Sequence, residues 1–114
     1  MLEKTEHMIM LKDFYGPLLT LKQQDLMSLY YEDDWSLSEI AENRGTSRQA
    51  VYDVLKRAET ALQEYEERLG LVDKFILTRR GLEEVYTLLK QTGCLEQKEI
   101  EKAIEILHEI MKSV

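Results

Sequence analysis

The fold turns on residues 36–58, SLSEIAENRGTSRQAVYDVLKRA. Ser36 followed by Glu39 is a capping box: the hydroxyl caps the first helix and the carboxylate answers the cap's own backbone. Ile40 and Ala41 then fall on an inner face, and alanine is small enough for a second helix to cross closely. Gly45 stands four residues after Ala41, where a tight turn calls for a positive φ that glycine adopts without steric cost. Ser47 is positioned to cap the next helix, whose Val51, Val54 and Leu55 recur at helical spacing on a buried face. Arg48, Gln49, Tyr52, Asp53, Lys56 and Arg57 are left facing out. Those side chains suit a base edge and a phosphate backbone. In this order the signals specify a helix-turn-helix with its second helix presented outward.

Charge bears directly on that reading. The chain has 114 residues and a net charge of −7, which argues against a generic nucleic-acid binder. Residues 36–58 nevertheless carry four bases (Arg44, Arg48, Lys56, Arg57) against three acids (Glu39, Glu42, Asp53), and every flanking segment is negative. An acidic body with a basic reading head weakens non-specific DNA binding, whose affinity comes mostly from phosphate contacts. The balance permits a selective DNA reader and equally permits a protein partner.

Length and composition bound the rest. The chain is one domain's worth, able to bury roughly 65% of its unfolded surface. With 44% hydrophobic and 32% charged residues it is globular rather than disordered. No apolar run approaches the roughly 20 residues that span a bilayer, and no signal peptide opens the chain, so no membrane association is expected. The single cysteine, Cys94, excludes an internal disulfide framework, and the chain reads as cytoplasmic.

Helices are expected almost throughout. The first spans residues 2–15, with Met8, Leu11, Phe14 and Tyr15 on one stripe, and Gly16 and Pro17 punctuate its end. Thr20 with Gln23 makes a second capping box. It opens a helix to about residue 31 whose apolar positions are Leu21, Leu26, Met27, Leu29, Tyr30 and Tyr31. Glu32, Asp33 and Asp34 form an acidic corner. The second helix of the helix-turn-helix has no breaker after Ala58 and runs on through Leu62, Tyr65 and Leu69 to Gly70. A further helix covers about residues 72–91, with Phe75, Leu82, Val85, Leu88 and Leu89 inward and a costly mid-helix Gly81. Gly93 suits a terminating position. The last helix, residues 95–113, aligns Ile100, Ala103, Ile104, Leu107, Ile110, Met111 and, just beyond it, Val114 in a stripe that buries against the chain's own core or a second copy. The expected division is a wingless helix-turn-helix domain over residues 1–71, including a long recognition helix. A helical extension over 72–114 packs on it or forms a dimer seam, giving one compact unit.

A family resemblance rests on FYGPLLT (residues 14–20), Lys22 and Gln23, Leu29, Tyr30 and Tyr31, Asp33 and Asp34, SLSEIAE and SRQAVYD. Over about residues 8–71 these resemble the YlxM-type proteins, small bacterial helix-turn-helix proteins similar in fold to the fourth domain of sigma factors. The resemblance implies an all-α sigma-factor fourth-domain-like helix-turn-helix with N-terminal helices and a C-terminal helical extension. It also implies a DNA-binding regulator with a part in the signal recognition particle (SRP) targeting pathway, since genes of the family commonly lie beside those of that particle. Carried onto this chain, the reading positions are Arg48, Gln49, Tyr52 and Asp53, with Ser47 as cap and Lys56 and Arg57 beside phosphate. The chain departs from the family pattern at Arg44 and Thr46, which either weakens the turn's packing or sets Arg44 near the DNA backbone.

The individual side chains leave alternatives. Arg48 and Gln49 pair with guanine and adenine edges, or are solvated surface on a helix that binds protein. Asp53 is a cytosine acceptor, a brake on phosphate binding, or a partner for Lys56 or Arg57 at helical spacing. Tyr52 stacks or touches a thymine methyl, or is half-buried packing. No enzyme is expected: His7 and His108 belong to no metal-ligand spacing, Cys94 stands in no motif, and Glu64, Glu66 and Glu67 read as a solvated helix face. No cofactor and no metal are implied. The partners considered are double-stranded DNA, SRP components or SRP RNA, and a second copy of the chain as a homodimer. A helical scaffold without DNA binding is the remaining alternative.

Overall fold

Capping signals and three- and four-residue apolar spacing build this chain almost entirely from helix. The computed structural model describes residues 4–91 and 97–113. Helix α1 is Lys4–Tyr15, followed by a short 3-10 turn over Gly16–Leu18 that Pro17 opens. Helix α2 is Leu21–Met27, and its Thr20 capping box is formed in both directions, at 3.2 Å and 3.0 Å. Helix α3 is Leu37–Arg44, α4 is Arg48–Leu69, α5 is Leu71–Gln91 and α6 is Gln97–Ser113. Among the described residues there is no strand. The expectations for residues 2 and 3, Gly93, Cys94, residues 95 and 96 and Val114 lie outside the described residues.

The segment after α2 differs from the expected α-helix. Ser28–Glu32 is π-helical, closed by Asp33 N–H to the Ser28 carbonyl at 3.0 Å. Trp35 N–H then bonds the Leu29 carbonyl at 3.0 Å, and Asp34 takes a left-handed conformation at φ 60°. Aspartate tolerates that region through its short polar side chain. The wider turn keeps Leu29 buried while Tyr31 reaches α4, donating its hydroxyl to Glu59 at 2.6 Å.

The contacts divide the chain into two units, one ending at Val72 and one beginning at Asp73. In the first, α4 packs against α1, α2 and α3, burying Val51, Leu55, Ala58 and Leu62 along a single face. Met8, Leu11 and Tyr15 from α1, Leu26 and Met27 from α2, Ile40 and Ala41 from α3, and Leu19, Leu29 and Val72 complete this core among the described residues. Two expected inner positions are not inside: Phe14 is 36% exposed and Leu21 is 83% exposed. At about 100° per residue, Phe14 lies at the edge of the stripe that Tyr15 centres, and Leu21 lies more than 100° from both Leu26 and Met27.

Tyr15 closes the far end of this unit. Its buried ring packs on Tyr65, with centroids 5.9 Å apart. The hydroxyl donates to Glu66 Oε1 at 2.6 Å and accepts the Leu71 N–H at 3.1 Å, while the same Oε1 accepts the Val72 N–H at 3.0 Å. These are donors of the first turn of α5, which has no intrahelical partner for them. Glu66 is therefore turned inward and half-buried, correcting its place on a solvated face; Glu64 and Glu67 remain exposed.

In the second unit, Tyr86 on α5 stacks on His108 of α6 at 5.3 Å, and Arg79 Nη1 donates to the Met111 carbonyl at 3.4 Å. Leu107 is buried and Ile100, Ala103, Ile104 and Met111 are half-buried, as the α6 stripe requires, whereas Ile110 is exposed. Val85 and Leu88, expected inward, are exposed; Phe75, Leu82 and Leu89 are half-buried.

The same substitution at two glycines is expected to act with opposite sign. Gly45 sits at φ 66°, and a Cβ there meets nothing within 4 Å, so Gly45→Ala costs conformational energy alone, about 1–2 kcal/mol. Gly81 lies within α5 with equally open space around it, so Gly81→Ala stabilises by about 0.5–1 kcal/mol. Thermal melts of the two variants check both signs. Burial and Glu66 push the Tyr15 hydroxyl above its usual 10.0, so its folded form keeps a proton that the unfolded form has lost. That stability is complete below the usual value and is lost as pH rises through the raised one. Tyr31, likewise raised by burial and Glu59, adds to the same loss. Denaturant titrations should show a steep alkaline decline that Tyr15→Phe makes shallower.

Candidate nucleic-acid interface

The turn between α3 and α4 is built from local signals. Ser36 Oγ accepts the Glu39 N–H at 3.1 Å and Glu39 Oε1 accepts the Ser36 N–H at 3.0 Å, completing the capping box. The bond from the Ser36 backbone N–H, helped by the Ser36 hydroxyl, holds the Glu39 carboxyl below its usual range. At the other end of α3, Gly45 N–H bonds the Glu42 carbonyl at 3.4 Å and Thr46 N–H bonds the Ala41 carbonyl at 3.0 Å. This is a Schellman-type closure around the left-handed Gly45. Ser47 Oγ then accepts the Ala50 N–H at 3.0 Å and starts α4.

From that start the outward residues fall into two rows at four-residue steps. One holds Arg48, Tyr52 and Lys56; the other holds Gln49, Asp53 and Arg57. All six are exposed, on the side away from Val51, Leu55 and Ala58. Among the described residues Arg48, Lys56 and Arg57 have no ion-pair partner, which leaves three cations available around the exposed part of α4.

Asp53 pairs with neither Lys56 nor Arg57. It accepts the Gln49 side-chain amide at 3.0 Å, one turn back along the helix. Adenine recognition by glutamine uses the carbonyl and one amide N–H, and the second N–H of Gln49 is free to keep its bond to Asp53.

Arg44 is committed elsewhere. Its Nε and Nη2 each lie 2.9 Å from Asp25, a two-pronged pair from α3 to α2, and Nη1 also donates to Asn43. The guanidinium holds the Asp25 carboxyl below its usual range. Both partners are exposed, so solvent screens the pair and it adds little to stability. Thr46 is exposed, and its backbone rather than its side chain closes the turn.

Beside the Tyr52 and Lys56 row lies a cleft of about 300 Å³ lined by Thr5, Tyr30, Tyr31, Leu37, Tyr52, Leu55, Lys56 and Glu59. Helical spacing singles out Tyr52 and Lys56 but not their neighbours, which come in part from three other elements. Among the described residues no group of three or more His, Cys, Asp or Glu could hold a metal ion, and no helix is long and apolar enough to cross a membrane.

Comparison with known proteins agrees with this geometry. The UPF0122 family model, described as a YlxM / p13 like helix-turn-helix protein, matches residues 2–107. The UPF0122 protein YlxM of Bacillus subtilis is 50% identical over 111 residues, covering 96% of this chain and 97% of the relative. UPF0122 proteins of Bacillus cereus and Bacillus anthracis are 50% identical over 109 residues, covering 94% of this chain and 99% of each relative. This is a helix-turn-helix family. With the matched residues spanning the α3–α4 turn and nearly all of the chain, the protein belongs to the UPF0122 family of YlxM / p13 like helix-turn-helix proteins.

Proposed function

We propose that this protein is a cytoplasmic, DNA-binding transcriptional regulator that lays α4 in the major groove of double-stranded DNA and performs no catalysis. The observation that carries the reading is the set of three uncommitted cations, Arg48, Lys56 and Arg57, on the exposed face of a helix that begins at a capped, left-handed turn. In this reading Lys56 and Arg57 contact phosphate, Arg48 and Gln49 reach base edges, and Tyr52 lies against the groove wall. Ser47 contributes as the helix cap, and Arg44 contributes by fixing α3 to α2 rather than by touching DNA. Asp53 restrains non-specific binding by repelling phosphate.

The protein acts as a homodimer. Leu77, Val85 and Leu88 on α5 and Ile106 and Ile110 on α6 are exposed apolar side chains that a second copy would cover. A two-fold dimer presents two reading helices about 34–36 Å apart and demands a symmetric site. The regulated process is proposed to be protein targeting by the signal recognition particle, on the strength of the family resemblance; binding of the particle's RNA or GTPases by a protein that ignores DNA is the competing form of that role.

Selection from random duplexes should enrich one symmetric site; recovery of no enriched sequence by folded protein would overturn the DNA reading. On that site, Lys56→Ala and Arg57→Ala should weaken binding to all sequences alike and lower the salt slope by about 0.9 for each phosphate no longer neutralised. Gln49→Ala should instead cost about 1–3 kcal/mol on the preferred site only. Sedimentation should give a dimer for the full chain and a monomer for a chain ended at Gln97. A monomeric full chain removes the dimer from the proposal. Co-purification from a bacterial lysate at mild salt distinguishes targeting-particle components from DNA as the principal partner.

A further inference from the structure

The cleft beside α4 has a lining of which the DNA reading uses only Tyr52 and Lys56. Leu37 and Leu55 are apolar, and Tyr30 and Tyr31 meet edge to face at 4.9 Å and 83°. Tyr52 contributes a third ring. Among the described residues of the lining the one carboxylate is Glu59, half-buried, whose Oε2 accepts the Tyr31 hydroxyl at 2.6 Å. Its Oε1 has no partner among the described residues. Among the described residues the one cation in the lining is Lys56, exposed and without an ion-pair partner there.

These groups narrow the ligand. The Tyr31 hydroxyl already donates to Glu59, so the carboxylate has only acceptor capacity left to offer. Aromatic walls with one such acceptor suit a flat heterocycle bearing N–H donors. A purely apolar ligand would leave Glu59 desolvated and unmatched. A cationic ligand in a tyrosine cage would meet the Lys56 ammonium. An anion attached to the heterocycle uses Lys56 instead. At about 300 Å³ the cleft is at the small end of ligand sites, which fits one nucleotide and not a dinucleotide.

We propose that the cleft formed by Thr5, Tyr30, Tyr31, Leu37, Tyr52, Leu55, Lys56 and Glu59 binds a free purine mononucleotide, guanine preferred, and that its occupancy draws Tyr52 and Lys56 away from DNA. Guanine presents two adjacent N–H groups to a carboxylate, whereas adenine presents an amino group flanked by ring acceptors that repel it. The phosphate lies against Lys56. The binding step stands by itself; the regulatory consequence rests on the DNA reading above.

The test uses the full chain, with GMP, AMP and inorganic phosphate titrated separately and no DNA present. Calorimetry should detect GMP, with AMP about tenfold weaker, and amide chemical-shift changes should cluster at the cleft residues. Glu59→Gln should weaken GMP about tenfold and abolish the base preference, because a charge-assisted acceptor is lost. Thr5→Trp, which plugs the cleft from α1, should abolish GMP binding by a route that leaves Glu59 intact. Neither residue belongs to the DNA face, so both variants should keep their DNA affinity without nucleotide. No binding of GMP, equal shifts from inorganic phosphate, or unchanged GMP affinity in both variants would overturn the site. A second titration with DNA reads the coupling: GMP should weaken DNA binding by the parent chain and not by Thr5→Trp. GMP binding that leaves DNA affinity unchanged overturns the coupling, and failure to find any DNA site leaves the nucleotide result standing.

Discussion

One face of α4 has to be buried while the opposite face stays free, and the first unit is arranged around that demand. Val51, Leu55, Ala58 and Leu62 are almost wholly removed from solvent by α1, α2 and α3. Burying a valine or leucine contributes about 1.5–3 kcal/mol, so the stripe outweighs any single cap or turn at about 1 kcal/mol each. The caps do different work. Ser36, Gly45 and Ser47 fix where α3 stops and α4 starts, and so fix which residues come to lie opposite the stripe. Packing supplies the stability, and the turn supplies the register.

Those local determinants are the ones legible in the sequence. Two capping boxes, a left-handed glycine and a serine cap each depend on residues within four positions of one another, and all of them form where the spacing placed them. What escaped reading depends on distant partners. Glu66 looks like one member of an acidic run until Tyr15, 51 residues away, and the start of α5 turn it inward. Arg44 looks like a free base, but Asp25, 19 residues earlier, takes two of its donors. The π turn at Ser28–Glu32 has no compositional signature of its own. The cleft escaped for the same reason, since its lining comes from α1, the π turn, α3 and α4.

Commitment of charges also changes how the net −7 is understood. Counting bases over residues 36–58 gives four, but pairing removes Arg44 and leaves three on α4. Lys12 is paired too, with Glu32, so two bases of the first unit hold its elements together. Those three cations lie around the exposed part of α4 on an acidic body, so the field that would attract a polyanion is confined to that helix. Gln49 and Asp53 lie among them as a hydrogen-bonded pair at 3.0 Å.

The bonds around Tyr15 bear on mechanics. The hydroxyl and the Glu66 carboxylate hold the N–H groups of Leu71 and Val72, residues that follow the left-handed Gly70. Tension applied to the chain beyond Val72 is therefore met first by two hydrogen bonds to α1 and α4, loaded in parallel, before the α3–α4 turn is strained. A chain ended at Gly70 loses both donors; one ended at Val72 keeps them. The natural breakpoint of the first unit thus lies inside the first turn of α5, where a phenol of the first helix and a carboxylate of α4 hold two consecutive backbone N–H groups.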